Sequence, residues 1–325
     1  MQTTLTRTRV ETLIDGFTGK RILVLGDMML DQFVWGKVRR ISPEAPVPVV
    51  DIVNETFVLG GAGNVAANIR ALGGIPIPIG VLGADDAAAR MLALMREKGI
   101  EASALLQDDR PTTVKTRVIA QNQQIVRTDK ESRTPLSSSG NELLAASFAK
   151  WLSSAGAVVI SDYDKGVINN DLLAQVLPEA QRAGIPVFLD PKVHHAECYR
   201  LITLIKPNHR EAELLTGMVI ESGQQLEEAG RRLLQKFECQ YALITRGEEG
   251  MSLFARDRSQ HLHSIDREVF DKTGAGDTVM ATLALANAGG ATMEESAVLA
   301  NHAAGLVVGK VGTAIVHRAE LLADF

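Results

Sequence analysis

The chain has 325 residues, a length that allows two domains or one large one. Apolar residues make up 46% of it and charged residues 22%, values typical of soluble globular proteins, so disordered, coiled-coil and collagen-like chains are excluded. The net charge of -5 provides no global positive field for nucleic acid, and aromatic residues at 4% are too few for serial stacking on bases or sugars. Any anion site must therefore be built locally.

Cysteine usage and hydropathy predict the cellular compartment. Cys198 and Cys239 are too few for a disulfide framework or a thiolate metal cluster, which suits a reducing compartment. Charged residues interrupt the N-terminal segment, so no secretory signal is expected. The longest uncharged helical stretch, 278–293, is shorter than the roughly 20 apolar residues that span a bilayer. We expect a cytoplasmic protein that binds neither nucleic acid nor membrane.

Short apolar runs alternate with helix-like segments of period 3.6, the pattern of a mostly parallel sheet with helices on both faces. Five such runs lie at 21–26, 157–161, 186–189, 203–206 and 242–245, and they lead into Asp27, Asp162, Asp190, Asn208 and Arg246. Ligands of open α/β sheets bind outside the carboxyl ends of the strands, so these polar ends outline one crevice. For any single position, a turn or cap residue is the alternative.

Two stretches interrupt this alternation, residues 32–59 and 105–130, and both have the composition of strands. A helix-forming segment separates them, so we predict a small β-sheet that is inserted into the main fold and can cover the crevice as a lid. Residues 1–325 would then form a single doubly wound α/β domain with this lid. Because a small sheet is hard to stabilise alone, we expect a homodimer that pairs through the lid.

A glycine-rich turn that leads into an apolar helix at 271–281 is the strongest local signal. Gly274 and Gly276 let backbone N–H groups converge around Ala275 at a helix N-terminus, and such a terminus binds anions. Asp277 then lies in the first turn, where the helix dipole would keep its carboxylate ionised and able to accept a proton from a substrate hydroxyl. The alternative is an aspartate that only caps the helix.

A second glycine segment, at 59–73, also opens an apolar helix. Its spacing superficially fits the dinucleotide fingerprint, so a nucleotide-dependent oxidoreductase is a competing hypothesis, although residues 55–58 make a poor buried strand. We expect Gly61 to let a backbone edge approach a polar ligand and Asn64 to offer an amide to hydroxyl groups. Tight packing of the helix on the sheet is the alternative.

Asn208 and Glu211 stand three residues apart at a predicted helix start and share one face. Such an oxygen pair can hold Mg²⁺ through waters beside a nucleotide phosphate, whereas in isolation a capping box is favoured. The segment 245–250 by itself indicates only a strand and a glycine turn. The histidines at 194–195 and at 261 and 263, with Cys198, lack a complete ligand set, so no metal site is predicted there.

Four motifs occur in one order: Gly-Gly-Ala-Gly-Asn at 60–64, Asn-x-x-Glu at 208–211, Thr-x-Gly-x-x-Gly at 245–250 and Gly-Ala-Gly-Asp at 274–277. Over nearly the whole chain they resemble the ribokinase-like carbohydrate kinases. The resemblance implies the ribokinase-like fold, phosphoryl transfer from ATP to a sugar, and Mg²⁺ as cofactor. One departure is Ala62, where ribokinase carries lysine, so basic contacts must come from elsewhere.

The resemblance also implies roles for single residues. Asp277 matches the catalytic base, and the anion hole would be formed by Gly274, Ala275 and Gly276. Sugar-binding positions are matched by Asp31, Gly61 and Asn64, with Asp162 as a further expected substrate contact. The Mg²⁺ and phosphate pair is matched by Asn208 and Glu211, and nucleotide contacts by Thr245, Gly247, Asn301 and Gly312. Asp271 and Thr273 match positions that bind a monovalent cation such as K⁺ in some members.

Segments at 40–50, 122–127, 189–192 and 307–313 narrow the resemblance to the branch that phosphorylates the anomeric hydroxyl of D-glycero-β-D-manno-heptose 7-phosphate. That branch serves ADP-heptose and lipopolysaccharide synthesis. No His-x-Gly-His motif of a fused nucleotidyltransferase occurs up to Phe325, so we expect the stand-alone form.

A substrate phosphate needs charge-assisted donors. The candidates are Arg39, Arg117, Arg127 and Lys192, and for each a solvated surface charge is the alternative. Two other functions stay open at this point. One is a kinase of the same family for another sugar, such as a fructose phosphate or ribose, and the other is a sugar-phosphate sensor without catalysis.

Overall fold

The computed structural model describes residues 5–121, 123–265, 267, 269–310 and 312–325. Two segments that carry the narrower resemblance contain Asn122 and Val311, which lie outside the described residues. The helices are α1 (Arg7–Asp15), α2 (Ala62–Ala71), α3 (Asp86–Glu97), α4 (Ser138–Leu152), α5 (Asn170–Arg182), α6 (His209–Thr216), α7 (Gly223–Phe237), α8 (Ala275–Ala288), α9 (Met293–Val308) and α10 (Arg318–Ala323). Short 3₁₀ turns occupy Val193–Cys198 and Gly247–Glu249.

The strands form two separate sheets. They are β1 (Arg21–Gly26), β2 (Met28–Ile41), β3 (Pro48–Gly61), β4 (Ile75–Leu82), β5 (Leu105–Gln107), β6 (Thr113–Ala120), β7 (Gln123–Lys130), β8 (Ala157–Ser161), β9 (Val187–Asp190), β10 (Leu204–Ile205), β11 (Tyr241–Thr245), β12 (Met251–Phe254) and β13 (Ser259–Leu262). The larger sheet has the order β13-β12-β11-β10-β9-β8-β1-β4-β5 and is parallel from β11 to β5. The β12–β13 hairpin adds an antiparallel edge.

Strand β1 shows why the central strands have continuous apolar sequences. Ile22 and Val24 face one hydrophobic cluster, which α2, α8 and α9 complete, while Leu23 and Leu25 face a second cluster under α4, α5 and α7. Because side chains alternate between the two faces of a strand and both faces are covered, every position must be apolar. The predicted doubly wound α/β fold is thereby confirmed, and β1 and β8 have the predicted bounds.

The second sheet, which we call the lid, consists of β2, β3, β6 and β7 in the order β3-β2-β6-β7. Strand β2 pairs antiparallel with β3 and parallel with β6, and β7 completes the sheet antiparallel to β6. The expected lid range of 105–130 is wrong at its start, because Leu105–Gln107 pairs with β4 at the edge of the main sheet. The chain enters the lid only at Thr113.

Lid strand β3 also explains the misleading glycine fingerprint. Residues 55–58 do form a strand, but it is largely exposed and antiparallel to β2, so the Gly61 turn does not follow a buried parallel strand as a dinucleotide site requires. In the part of the chain that the structure describes, no helix combines the length and apolar character needed to cross a bilayer.

Packing of α7 on β12 provides a test of the fold. A Cβ added to Gly230 of α7 would lie 2.3 Å from Cγ of Phe254, which is buried. We expect Gly230→Ala to lower the free energy of unfolding by about 1–3 kcal/mol, as measured by urea denaturation.

The matched control is Gly223→Ala at the start of the same helix, where an added Cβ meets no described atom within 4 Å. Its free energy of unfolding should be unchanged or raised by up to about 1 kcal/mol, since alanine favours helix. Equal destabilisation of both variants would contradict this packing.

Candidate active site

The carboxyl ends of β8, β9, β10 and β11 open into a cleft of about 910 Å³. Residues from several of the sequence motifs line it: Asp190, Lys192, Lys206, Asn208, Glu211, Thr245, Arg246, Gly247, Ala275, Gly276 and Asn301. Of the five polar strand ends that were predicted to outline one crevice, Asp190, Asn208 and Arg246 line this cleft, whereas Asp27 and Asp162 do not. The cleft lies at the edge where parallel strands of an α/β sheet place their ligands.

Asp277 lies in the first turn of α8, next to Ala275 and Gly276, which line the cleft. Gly274 precedes the helix with a φ of +81°, and an added Cβ there would lie 2.7 Å from Nδ2 of Asn64, so a side chain would displace the amide. Asp277 is buried, and its carboxylate accepts a hydrogen bond of 2.9 Å from Asn64 Nδ2 and one of 2.6 Å from the hydroxyl of Tyr163.

The environment of Asp277 gives it an unusual pKa. Burial raises the pKa of its carboxyl to about 7, although the hydrogen bonds from Tyr163 and Asn64 oppose the rise; the charge of Asp190 adds to it. Burial thus opposes the ionisation that the helix dipole at this position favours. A carboxyl that titrates near neutrality is suited to general base catalysis.

Tyr163 is a site residue that the sequence motifs did not identify. It lies in the loop after β8, and Asp27 holds that loop by accepting backbone N–H bonds from Tyr163, Lys165 and Val167 at 2.8–3.2 Å. Burial raises the pKa of the Asp27 carboxyl to about 6, and the nearby charge of Asp162 adds to the rise. The only sequence signal was the polar residue at each strand end.

Two lysines bring positive charge to the cleft. Lys206 is buried and its Nζ lies 3.0 Å from Oδ1 of Asp190, while an added Cβ on Gly276 would lie 3.3 Å from the same Nζ. A fixed cation therefore lies against the N-terminus of α8. Lys192 Nζ lies 2.6 Å from Oε1 of Glu211. Lys206 was not among the candidates, although it is the last residue of one of the predicted strands.

Asn208 and Glu211 form the capping box that was left open as the alternative. Asn208 Oδ1 accepts the N–H of Glu211 at 2.9 Å, and Glu211 Oε2 accepts the N–H of Asn208 at 3.0 Å. Both residues nevertheless line the cleft, so the cap fixes the Glu211 carboxylate at the cleft wall.

Of the remaining residues that were expected to contact the nucleotide, three line the cleft and one does not. Thr245 and Gly247, which has a φ of +61°, line the cleft together with Asn301, whose Nδ2 donates to the carbonyl of His263 at 2.7 Å. Gly312 is not part of that lining. Its N–H donates to Asp271 Oδ2 at 3.2 Å, while Asp271 Oδ1 accepts the N–H of Thr273 at 2.8 Å.

Asp31 connects the lid to the body of the protein. It is buried, and its carboxylate accepts from Arg117 Nη1 at 2.6 Å and from Thr313 Oγ1 at 3.1 Å. Gly61 lies at the end of β3 with a φ of +55°, and a Cβ there would approach the carbonyl oxygen of Asp27 to 2.7 Å. Only glycine fits this approach of lid and core.

Three residues that were expected to contact the substrate are either distant from Asp31 or already bound within the protein. Arg39 is 73% exposed, lies 3.7 Å from Asp51, and follows Asp31 by eight residues along β2, a distance of about 26 Å. Arg127 is bound by both carboxylate oxygens of Asp129. Asp162 is buried, and its oxygens are bound within the protein by the hydroxyl of Tyr199, the ring of His195 and the N–H of Asp164.

The cleft contains the kinds of group that bind a nucleotide phosphate and Mg²⁺. Among the described residues, Nε of Arg246 is buried in the cleft wall without a hydrogen-bond partner, and such a donor suits a phosphate oxygen. Glu211 offers carboxylate oxygens, the ligand type that Mg²⁺ prefers, but both already accept a hydrogen bond. This donor set therefore suits a cation held through water.

Comparison with known proteins identifies the family of this chain. Residues 20–319 match the family that is described as "pfkB family carbohydrate kinase". Bifunctional protein HldE of Caulobacter vibrioides is 49% identical over 310 residues, which are 94% of this chain and 64% of that protein. Bifunctional protein HldE of Trichlorobacter lovleyi is 45% identical over 319 residues, 98% of this chain and 65% of that protein. The chain thus spans just under two thirds of the length of these relatives.

Solved structures agree on the architecture. The ribokinase of Arabidopsis thaliana, complexed with ribose and ATP, has a TM-score of 0.74 at 23% identity, covering 94% of this chain and 98% of that one. Phosphofructokinase-2 of Escherichia coli has a TM-score of 0.78 at 19% identity, with the same coverage. The fold is ribokinase-like. Because the family match extends over residues 20–319, the chain belongs to the pfkB family of carbohydrate kinases.

Proposed function

We propose that this chain transfers the γ-phosphoryl group of ATP to the anomeric hydroxyl of D-glycero-β-D-manno-heptose 7-phosphate, in the synthesis of ADP-heptose for lipopolysaccharide. The family supports a carbohydrate kinase, and the segments at 40–50 and 189–192 support the heptose substrate. The observation that carries the proposal is the buried Asp277 carboxyl, with a pKa of about 7, at the N-terminus of α8 beside the cleft.

In the proposed reaction, Asp277 accepts the proton of the anomeric hydroxyl as that oxygen forms a bond to the γ-phosphorus. The bond from phosphorus to the ADP oxygen breaks, and the products are ADP and heptose 1,7-bisphosphate. The N–H groups around Gly274, Ala275 and Gly276 stabilise the charge that develops on the transferred group. Lys206, fixed by Asp190, adds a positive charge on the same side.

The nucleotide and its cations have candidate residues around the cleft. We assign nucleotide contacts to Thr245, Gly247, Asn301 and Gly312. Asn208 and Glu211 would hold Mg²⁺ through water, and bound Mg²⁺ supplies positive charge that neutralises the triphosphate. Asp271 and Thr273 are the candidates for K⁺.

The sugar phosphate would bind between the lid and the core. We assign sugar contacts to Asp31, Gly61 and Asn64. Arg117 is our preferred donor to the substrate phosphate, because its mostly buried side chain on β6 is held 2.6 Å from Asp31, a proposed sugar contact. Lys192 lies in the cleft, whereas Arg39, Arg127 and Asp162 stay in the proposal with weaker geometric support.

We further propose that two copies pair through their lids. The lid exposes apolar side chains that a second copy would cover: Ile41, Val47, Ile52, Val53, Ile125 and Val126, each at least 38% exposed.

The first test removes the proposed base. Asp277→Asn keeps the shape of the side chain but cannot accept the proton, so phosphoryl transfer measured by ADP release should fall at least 100-fold. Near-full activity would contradict the assignment.

Unfolding of the same variant provides an internal control. The folded chain holds the Asp277 proton more tightly than the unfolded chain, so ionisation of this group destabilises the wild type progressively as the pH rises from about 4 to about 7. The free energy of unfolding of Asp277→Asn, measured relative to the wild type by urea denaturation, should therefore be about 2–4 kcal/mol higher at pH 8 than at pH 4. A loss of stability would indicate a damaged fold.

The hydrogen bond from Tyr163 to Asp277 can be tested through the pH dependence of the rate. This bond lowers the pKa of Asp277, so Tyr163→Phe should move the acidic limb of the kcat/KM profile to higher pH. Tyr241→Phe, at the start of β11, serves as the control and should leave the limb in place. A slower enzyme with an unmoved limb would show that Tyr163 only positions the carboxylate.

A substrate panel tests the sugar. We expect the highest kcat/KM for heptose 7-phosphate, and a value at least as high for fructose 6-phosphate or ribose would defeat the heptose proposal. Arg117→Ala should raise the KM for the sugar phosphate at least tenfold with little change in the KM for ATP. The exposed Arg96 on α3 provides the control variant, Arg96→Ala, which should change neither KM.

A further inference from the structure

The loops after β8 and β9 bring three possible metal ligands together outside the cleft. Asp164 comes from the first loop, and His194 and His195 from the second; one ligand atom from each of the three lies within 4.8 Å of the others. The sequence shows only two adjacent histidines, too few for a metal site. The third ligand comes from the neighbouring strand end and is visible only in the folded chain.

A carboxylate fixes one ring nitrogen of His195, as is common for histidines that bind a metal. Its Nδ1 lies 2.7 Å from Oδ2 of Asp162, a carboxylate that is buried and also accepts from the hydroxyl of Tyr199 at 2.6 Å. Because this carboxylate only accepts, Nδ1 carries the proton in neutral His195, and Nε2 is left with its lone pair. A histidine that binds a metal commonly has its other ring nitrogen fixed by a carboxylate in this manner.

The other ring nitrogen of His195, Nε2, has a second carboxylate near it. Nε2 of His195 lies 3.6 Å from Oδ1 of Asp164, too far for a hydrogen bond. Two ligand atoms bound at 2.0–2.1 Å to one tetrahedral Zn²⁺ are separated by about 3.3 Å, so the observed spacing needs little adjustment to admit the ion. The ring of His194 lies beside that of His195, with centroids 5.2 Å apart and an angle of 62° between the planes.

The Asp164 carboxylate is held near the histidines by its backbone. Asp164 adopts a φ of +56°, which aspartate tolerates better than most residues, and its N–H donates to Asp162 Oδ1 at 2.8 Å. Arg133 also approaches Asp164, at 3.8 Å, but this arginine is 65% exposed and bound to Glu131 at 3.2 Å. A long, exposed ion pair of this kind is a weak competitor for a metal ion.

We propose that Asp164, His194 and His195 form a binding site for Zn²⁺, with water completing a tetrahedral coordination. Two imidazole nitrogens and one carboxylate favour Zn²⁺ over Mg²⁺, which prefers oxygen ligands. The ion would join the loop that carries Tyr163 to the turn Val193–Cys198. The site is separate from the proposed Mg²⁺ pair and does not depend on the proposed function.

Calorimetric titration of the metal-free full chain with Zn²⁺, without nucleotide, tests the site. We expect one Zn²⁺ per chain, an increase in Tm on binding, and no displacement by millimolar Mg²⁺. His194→Ala removes an exposed ligand, and Asp164→Asn keeps a residue that tolerates positive φ; each should weaken Zn²⁺ binding at least tenfold. Circular dichroism would verify that both variants fold.

The control is His261→Ala, since His261 also lies beside a carboxylate, with Nε2 2.9 Å from Glu227. This variant should bind Zn²⁺ like the wild type. Equal affinity in the wild type, His194→Ala and Asp164→Asn would overturn the proposal, and so would a matching loss in His261→Ala. Titration with Co²⁺ adds a spectroscopic readout: visible bands of a tetrahedral ion are expected, and a thiolate charge-transfer band would overturn the ligand assignment by implicating Cys198.

Discussion

The burial of one carboxyl group, that of Asp277, is the constraint on which the rest of the site depends. Removing a carboxylate from water is unfavourable, and the protein offsets part of this cost with hydrogen bonds from Asn64 and Tyr163. These donors come from α2 and from the loop after β8, so three distant segments must converge for the group to ionise near neutral pH. The apolar sheet beneath them holds those segments in register.

The sequence was sufficient for the parts of the fold that local patterns determine. Strands β1 and β8 were predicted to the residue, because strands covered on both faces must be continuously apolar and end at polar residues. Strand β5 was assigned to the wrong sheet, since a strand of three residues carries no pattern that distinguishes one edge from another. Pairing partners distant in sequence decide such cases.

The same division holds within the site. Motif spacing identified Asp277 and Asn64, but Tyr163 and Lys206 lie outside any motif and acquire their importance from the packing of separate strand ends. The dipole argument for Asp277 used only its own helix, whereas its pKa depends on how completely other elements cover it. For Asn208 and Glu211, the two interpretations that looked like rivals are compatible, because the capping box is what fixes the carboxylate at the cleft wall.

The junction between core and lid has an evolutionary consequence. A single residue, Asp27, separates β1 from β2, and β3 continues directly into α2 after Gly61. The β2–β3 half of the lid therefore has no linkers at which it could be exchanged as a cassette, whereas residues 108–112 and 131–137 connect the β6–β7 hairpin to the core. A change in lid length or curvature would move Asp31 and the start of α2 together, and with them Asn64. In the β2–β3 hairpin, substitutions within the existing strands are therefore the changes that leave the groups around Asp277 undisturbed, since larger rearrangements would move them.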